Sequence, residues 1–135
     1  MRFLLLFLFL IFPLTVKSDV FFDDAGALGT MAGVAKACGE NAQKLEDYEL
    51  IAVRLIANKA NSAVQEKEGY RKYVQEKMKA ERRQKNAPQM SCSEVLSRFE
   101  NMPLFKSVVY RDGSLKLSDG TFLPANRPLL MVDKK

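Results

Sequence analysis

The chain contains no histidine and no tryptophan, and only two of its 135 residues are cysteine. Without an imidazole it cannot supply Ser-His or Cys-His nucleophilic catalysis, or a histidine-ligated zinc site. Two thiols are too few for a four-cysteine metal centre. We therefore predict no metal site and no cofactor.

The residues that remain for catalysis form no recognisable set. Short clusters of carboxylates occur at 23–24, 46–49 and 66–68, but neighbours along a helix do not converge on one substrate. Ser91 and Ser93 have no Ser-x-x-Lys partner. We assign no catalytic residue and expect a non-enzymatic role. The alternative is a small secreted hydrolase that uses carboxylate or Ser-Lys chemistry.

The first 18 residues have the layout of a secretory signal peptide. Arg2 is followed by an unbroken apolar run from 3 to 12, and the segment ends at Lys17 and Ser18. We predict cleavage after Ser18, which leaves one mature domain at 19–135. An uncleaved membrane anchor is the alternative, although the run is shorter than the roughly 18–20 residues of a spanning helix.

Charge and compartment limit the partners of the mature chain. Without Arg2 and Lys17, 19 basic and 16 acidic residues remain, a net charge of about +3. This excess is too small to indicate a nucleic-acid partner. Export leads to an oxidising space, so we predict a disulfide between Cys38 and Cys92. The localisation is predicted as periplasmic if the source is bacterial and extracellular otherwise.

A glycine-rich segment at 25–39 opens the helical part of the chain, which we place at 19–102. Asp23 and Asp24 precede it as helix-start residues, and Gly39 follows as a stop signal. Small residues recur every four positions, which predicts a helix packed closely on a neighbour: Ala25, Gly29, Gly33 and Ala37. A loosely ordered helix, a flexible tail and a membrane-active or self-associating segment are the alternatives.

Residues 40–68 have the three- and four-residue apolar spacing of an amphipathic helix. The predicted buried stripe comprises Leu45, Tyr48, Ile51, Ala52, Leu55, Ile56, Ala60, Ala63 and Val64. One rod from 40 to 86 would be about 70 Å long, far longer than a domain of this size. We expect a break near Gly69, or earlier at 58–61, with a protruding helix as the competing picture.

The segment 70–85 carries seven basic and two acidic residues. Such a run is typical of a solvated helix face, but it also suits an acidic partner. We name a candidate partner-binding face of Arg71, Lys72, Lys79, Arg82 and Arg83. Because the segment lacks a broad bulky apolar stripe, a protein partner is favoured over lipid, and any membrane contact would be peripheral.

The remaining elements are a short helix and a sheet. Ser91 and Glu94 form a capping-box pattern that starts a helix ending near Met102. Asp112-Gly113 and Asp119-Gly120 predict two hairpins with two-residue loops over 107–123, before a tail at 124–135. That register places one set of side chains on the buried face: Val108, Tyr110, Leu115, Leu117 and Phe122.

The predicted fold class is therefore α+β, with three or four helices, a small C-terminal antiparallel β-meander and one disulfide. The predicted function is that of an exported small protein that binds another envelope or secreted protein. Accessory, immunity and chaperone-like components of the cell envelope are the natural classes. The expected partner is acidic.

Overall fold

The computed structural model describes residues 19–125. The predicted signal segment and residues 126–135 of the predicted tail lie outside this range. The elements are α1 (Val20–Ala37), α2 (Ala42–Lys59), α3 (Ala63–Asn86), α4 (Cys92–Glu100), a 3-10 turn (Pro103–Lys106) and strands β1 (Val108–Val109), β2 (Leu115–Lys116) and β3 (Phe122–Leu123). This is the predicted α+β architecture, with four helices and a three-stranded antiparallel sheet in the order β1-β2-β3.

Helix α1 begins earlier than predicted. Asp19, rather than Asp23 or Asp24, is the N-cap, and its carboxylate accepts a hydrogen bond from the Phe21 amide at 3.1 Å. At the other end, the Gly39 amide donates to the Lys36 carbonyl, and the next amide donates to a carbonyl five residues back. These two bonds form a Schellman motif, which confirms Gly39 as the stop signal.

Helices α1 and α3 lie parallel and form the longest helix contact in the described chain. Phe21 at the start of α1 lies against Gly69 near the start of α3. Close to the far ends of the two helices, the Gln84 side chain reaches the Cys38 sulfur at 3.6 Å. Helix α2 runs back between these ends. Its last residue, Lys59, pairs with Asp24 of α1 at 3.7 Å.

The break between α2 and α3 falls at the earlier of the two predicted positions. Ala60 is extended, and the Ser62 hydroxyl caps α3 by accepting a hydrogen bond from the Gln65 amide at 3.0 Å. The prediction of a break at Gly69 was wrong. Gly69 lies inside α3, where the Phe21 ring occupies the space that a side chain would need.

The aromatic core lies between the four helices. Tyr48, Tyr73 and Phe99 are fully buried, and the rings of Tyr48 and Phe99 are 5.0 Å apart. The Tyr48 hydroxyl donates to the Leu28 carbonyl at 2.9 Å. The predicted stripe is buried or half-buried along α2, but Ala63 and Val64 are exposed because the break at 60–62 starts a helix with a new orientation.

Cys38 and Cys92 form the predicted disulfide, with their Cα atoms 5.1 Å apart. The bond joins the end of α1 to the first residue of α4. Ser91 caps α4 as predicted, by accepting a hydrogen bond from the Glu94 amide at 3.3 Å. A helix of nine residues is marginal in isolation, so this covalent tether stabilises its position.

The meander exists, but its predicted register was wrong by one residue. Val109 pairs with Leu115, and Leu115 pairs with Leu123. Each turn has three residues rather than two, and ends in a glycine with positive φ, 86° at Gly113 and 89° at Gly120. This is the type I turn with a glycine bulge, the second common hairpin connection.

The shift of one residue changes which side chains face the protein. Leu115 is fully buried, and Val109, Leu117 and Leu123 pack beside it against α2. Burial of Leu115 and Leu117 agrees with the prediction. The other three members of the predicted buried face are exposed: Val108, Tyr110 and Phe122.

Candidate functional site

The candidate partner-binding face lies on α3, and two of its members, Lys72 and Arg83, border α1. Arg71 and Arg82 are about three helical turns apart, so both project along the same outer line of the helix. Arg83 lies on the flank of α3, toward the start of the linker to α4. All three arginines are exposed. Within residues 19–125, none of them forms an ion pair.

The two lysines predicted for this face, unlike the three arginines, form ion pairs. Lys72 and Lys79 both donate to the Glu76 carboxylate, each at 3.1 Å. These hydrogen bonds hold the pKa of Glu76 below its ordinary value. The structure therefore divides the five predicted residues into two lysines that share one carboxylate and three arginines without an ion pair among residues 19–125.

The other charges of the basic segment are also paired. Glu81 accepts from Lys85 at 2.7 Å and from Lys36 of α1 at 3.0 Å, and these bonds lower the pKa of Glu81. Lys77 pairs with Glu49 of α2 at 3.1 Å. These pairs connect α3 to its neighbours, so the charge available to a partner belongs mainly to the arginines.

Met78 supplies an apolar group between the arginines. It lies one turn before Arg82 on the same side of α3, and 56% of its surface is exposed. A flexible thioether side chain adapts to differently shaped surfaces. Arginine presents a planar fork of donors that matches a carboxylate in two parallel hydrogen bonds. The outer face thus combines anion recognition with one adaptable apolar contact.

A cavity of about 310 Å³ borders this face at Arg83. Thr30, Met31 and Val34 form its α1 wall, and Met90 of the linker between α3 and α4 closes it on the opposite side. Sequence reasoning missed this cavity. The sequence feature that relates to this cavity is the position of Thr30 and Val34. Each follows one of the closely packed glycines, Gly29 and Gly33, by one position along α1.

A second cavity, of about 370 Å³, lies between α1 and α2. Its walls are apolar and include Phe21, Leu55 and Ile56. The charged groups at its edge, Asp24 and Lys59, pair with each other. Apart from these two groups and Tyr48, the lining is apolar, which suits apolar contact.

Ser91, Asp112 and Asp119 have structural hydrogen-bond partners. The Ser91 hydroxyl caps α4, and it also lies 3.1 Å from the Ser93 hydroxyl. Asp112 and Asp119 accept turn hydrogen bonds, chiefly from Ser114 and Thr121 respectively, which lower the pKa of both carboxyl groups. A general acid at neutral pH requires a raised pKa instead.

The described part of the chain also provides no metal centre or membrane span. Residues 19–125 contain no group of three or more carboxylate or thiol side chains that could hold a metal ion. No helix in this range combines the length and apolar character needed to cross a membrane. Comparisons with protein-family models, curated proteins and solved structures found no match for this chain.

Proposed function

We propose that this chain is an exported, non-enzymatic protein that binds an acidic protein partner through the outer face of α3. The observation that carries the proposal is the division of charge on α3. Lys72 and Lys79 share one carboxylate, that of Glu76, whereas Arg71, Arg82 and Arg83 have no ion pair within residues 19–125. Exposed arginines without internal partners are available to the carboxylates of another molecule.

The apolar content of the face favours a protein over a lipid surface. A helix that lies in a membrane interface buries a wide stripe of bulky apolar residues beneath its basic face. On α3, fully buried Tyr73 faces inward, and two large apolar residues of this helix are well exposed, Met78 between the arginines and Val64 in the first turn. A partner with matched carboxylates suits this narrow face better.

Two observations support export. The first 18 residues have the layout of a signal peptide, and the chain contains a disulfide, a bond that persists mainly in oxidising compartments. We propose a periplasmic location if the source is bacterial and an extracellular one otherwise. An accessory, immunity or chaperone-like role in the cell envelope fits a small module with one charged binding face.

Charge reversal on α3 tests the proposal. The wild type and the variant Arg71→Glu with Arg82→Glu are used as baits in cross-linking capture from the native envelope. The wild type should capture an acidic protein, and the reversal should reduce its recovery roughly tenfold at low salt. Circular dichroism should show that both baits are folded, because both arginines are exposed.

A matched control separates a local binding face from net charge. Lys106→Glu with Arg111→Glu makes the same change in net charge on exposed residues outside α3. This control should retain the captured partner. Equal losses for the two reversals would contradict the proposal. So would binding of the wild type to phosphatidylserine vesicles in preference to the captured protein.

A further inference from the structure

We propose that the cavity beside Arg83 receives a bulky apolar side chain of the acidic partner. This inference rests on the function proposed above and specifies what the partner must carry. The recognised element would be an apolar residue such as leucine with aspartate or glutamate next to it. The arginines would bind the carboxylates, and the cavity would provide selectivity for the apolar residue.

The size and lining of the cavity suit this occupant. Its volume of about 310 Å³ is at the lower end of the range for ligand pockets in proteins. Met31, Val34 and Met90 provide apolar surface, and methionines adapt to occupants of different shape. Displacement of water from such a surface by one apolar side chain is favourable.

The wall of the cavity is fixed in place before a partner binds. Gln84 lies in its lining and donates a hydrogen bond from Nε2 to the Met90 carbonyl at 2.9 Å. The same amide nitrogen lies 3.6 Å from the sulfur of Cys38, which is bonded to Cys92 just after the linker. A preorganised site loses less conformational entropy on binding than a flexible one.

The charges around the cavity determine the chemistry of the occupant. Arg83 lines the cavity, and Arg82 lies beside it in the sequence. The nearest glutamates of α3, Glu76 and Glu81, are already hydrogen-bonded to lysines. An apolar residue in the cavity therefore places its neighbours in the partner next to unpaired positive charge. Acidic neighbours would be stabilised there, and basic neighbours repelled.

Two defined peptides test this inference. Both are labelled with fluorescein, and each has a central pair of identical residues with two aspartates before it and two after it. The central pair is two leucines in one peptide and two alanines in the other. Fluorescence anisotropy should show that the wild type binds the leucine peptide roughly tenfold more tightly. Val34→Phe partly fills the cavity and should remove this advantage without weakening the alanine peptide. Thr30→Phe, one turn earlier, should act in the same direction.

The controls separate failure of the cavity from failure of the basic face. Val20→Phe introduces the same side chain at a residue that is 70% exposed, and it should keep the leucine advantage. Equal, salt-sensitive binding of both peptides to the wild type would overturn the cavity inference. It would still agree with binding through the basic face. Binding of neither peptide would overturn both proposals. Arg71→Glu with Arg82→Glu should weaken both peptides equally.

Discussion

The contact between α1 and α3 and the contact between α2 and the meander hold the fold together in opposite ways. At the first, Gly29 and Gly33 bring the backbone of α1 directly against the backbone of α3 near Tyr73 and Lys77. At the second, a few side chains make the contact. Leu115 is fully buried, and the amide of Asn58 donates to the Gly113 carbonyl at 2.9 Å.

The two contacts differ in which substitutions they can accommodate. Three interior glycines each cost about 1 kcal/mol of helix propensity relative to alanine. Close backbone approach offsets this cost through dense packing along the helix pair. Such a contact has no side chain that can rotate to relieve a clash. The meander depends on individual anchors, and its two-residue strands have few bonds of their own, so losing one anchor should affect that region alone.

The largest expected effect comes from one methyl group in the contact between α1 and α3. A Cβ at residue 29 would collide with the Tyr73 carbonyl, which is backbone and cannot rotate away. Gly29→Ala should therefore lower the free energy of unfolding by about 3 kcal/mol. Urea denaturation measures this loss. Hydrogen exchange should show faster opening of both helices.

Gly26→Ala is the matched control for this substitution, since it adds the same atom to the same helix. The nearest atom there is the Cε of the Lys72 side chain at 3.2 Å, and this long side chain can move. Better helix propensity should make the variant neutral or more stable by up to about 1 kcal/mol. If both variants lost the same stability, close backbone approach would not be what holds the helix pair together.

Sequence reasoning identified the features that depend on local chemistry. The four-residue spacing of small residues indicated close helix packing, and Ser91 indicated the start of α4. The only two cysteines, in a chain with a signal-like N-terminal segment, indicated the disulfide. These features follow from spacing, capping and compartment, which are visible without knowledge of the neighbouring elements.

The errors arose where a distant contact decided the outcome. Gly69 resembles a helix break in sequence, but it lies inside α3, where the nearby Phe21 ring leaves no space for a side chain. Asp-Gly suits both two-residue and three-residue hairpin loops. The sheet takes the three-residue form, in which Asp112 accepts from the Ser114 amide at 2.9 Å and Leu115 is buried against α2.

The candidate site was predictable only in part. The sequence identified the basic segment, but it did not separate the paired lysines from the unpaired arginines. The three- and four-residue spacing of Glu76 from its two lysines could have revealed that pairing. The cavity beside Arg83 depends on how the linker at 87–90 is held by Gln84, which no local pattern encodes.

A smaller and more local loss should follow when the anchor of the meander is removed. Asn58 is only 5% exposed and donates to the Gly113 and Leu123 carbonyls, at 2.9 and 3.4 Å. Asn58→Leu keeps the approximate size but leaves these carbonyls without this donor. The expected cost is about 1–3 kcal/mol. Hydrogen exchange should accelerate in residues 107–123 while α1 and α3 stay protected.

Asn61→Leu makes the same replacement at an exposed position of the break between α2 and α3. It should change the free energy of unfolding by less than about 0.5 kcal/mol. If Asn58→Leu accelerated exchange in α1 and α3 as strongly as in the meander, the two contacts would form one cooperative unit. The α1–α3 contact and the contact of α2 with the meander would then differ in structure but not in how they unfold.

The smallest effect concerns pH and Glu81, a glutamate of α3 that forms an ion pair with Lys36 of α1. Hydrogen bonds from Lys85 and Lys36 hold the pKa of Glu81 below its ordinary value of 4.5. Because the folded-state pKa is the lower one, this stabilisation is fully present above about pH 4.5 and is lost as pH falls through the folded value. Glu81→Gln should lower the free energy of unfolding by about 0.5 kcal/mol at neutral pH. It should also make the free energy of unfolding fall less steeply as the medium becomes acidic. Glu76→Gln is the comparison, since its lysine partners both lie within α3. Only the change at Glu81 should speed hydrogen exchange at the end of α1, and equal exchange in both variants would show that the Lys36 contact adds nothing to the helix pair.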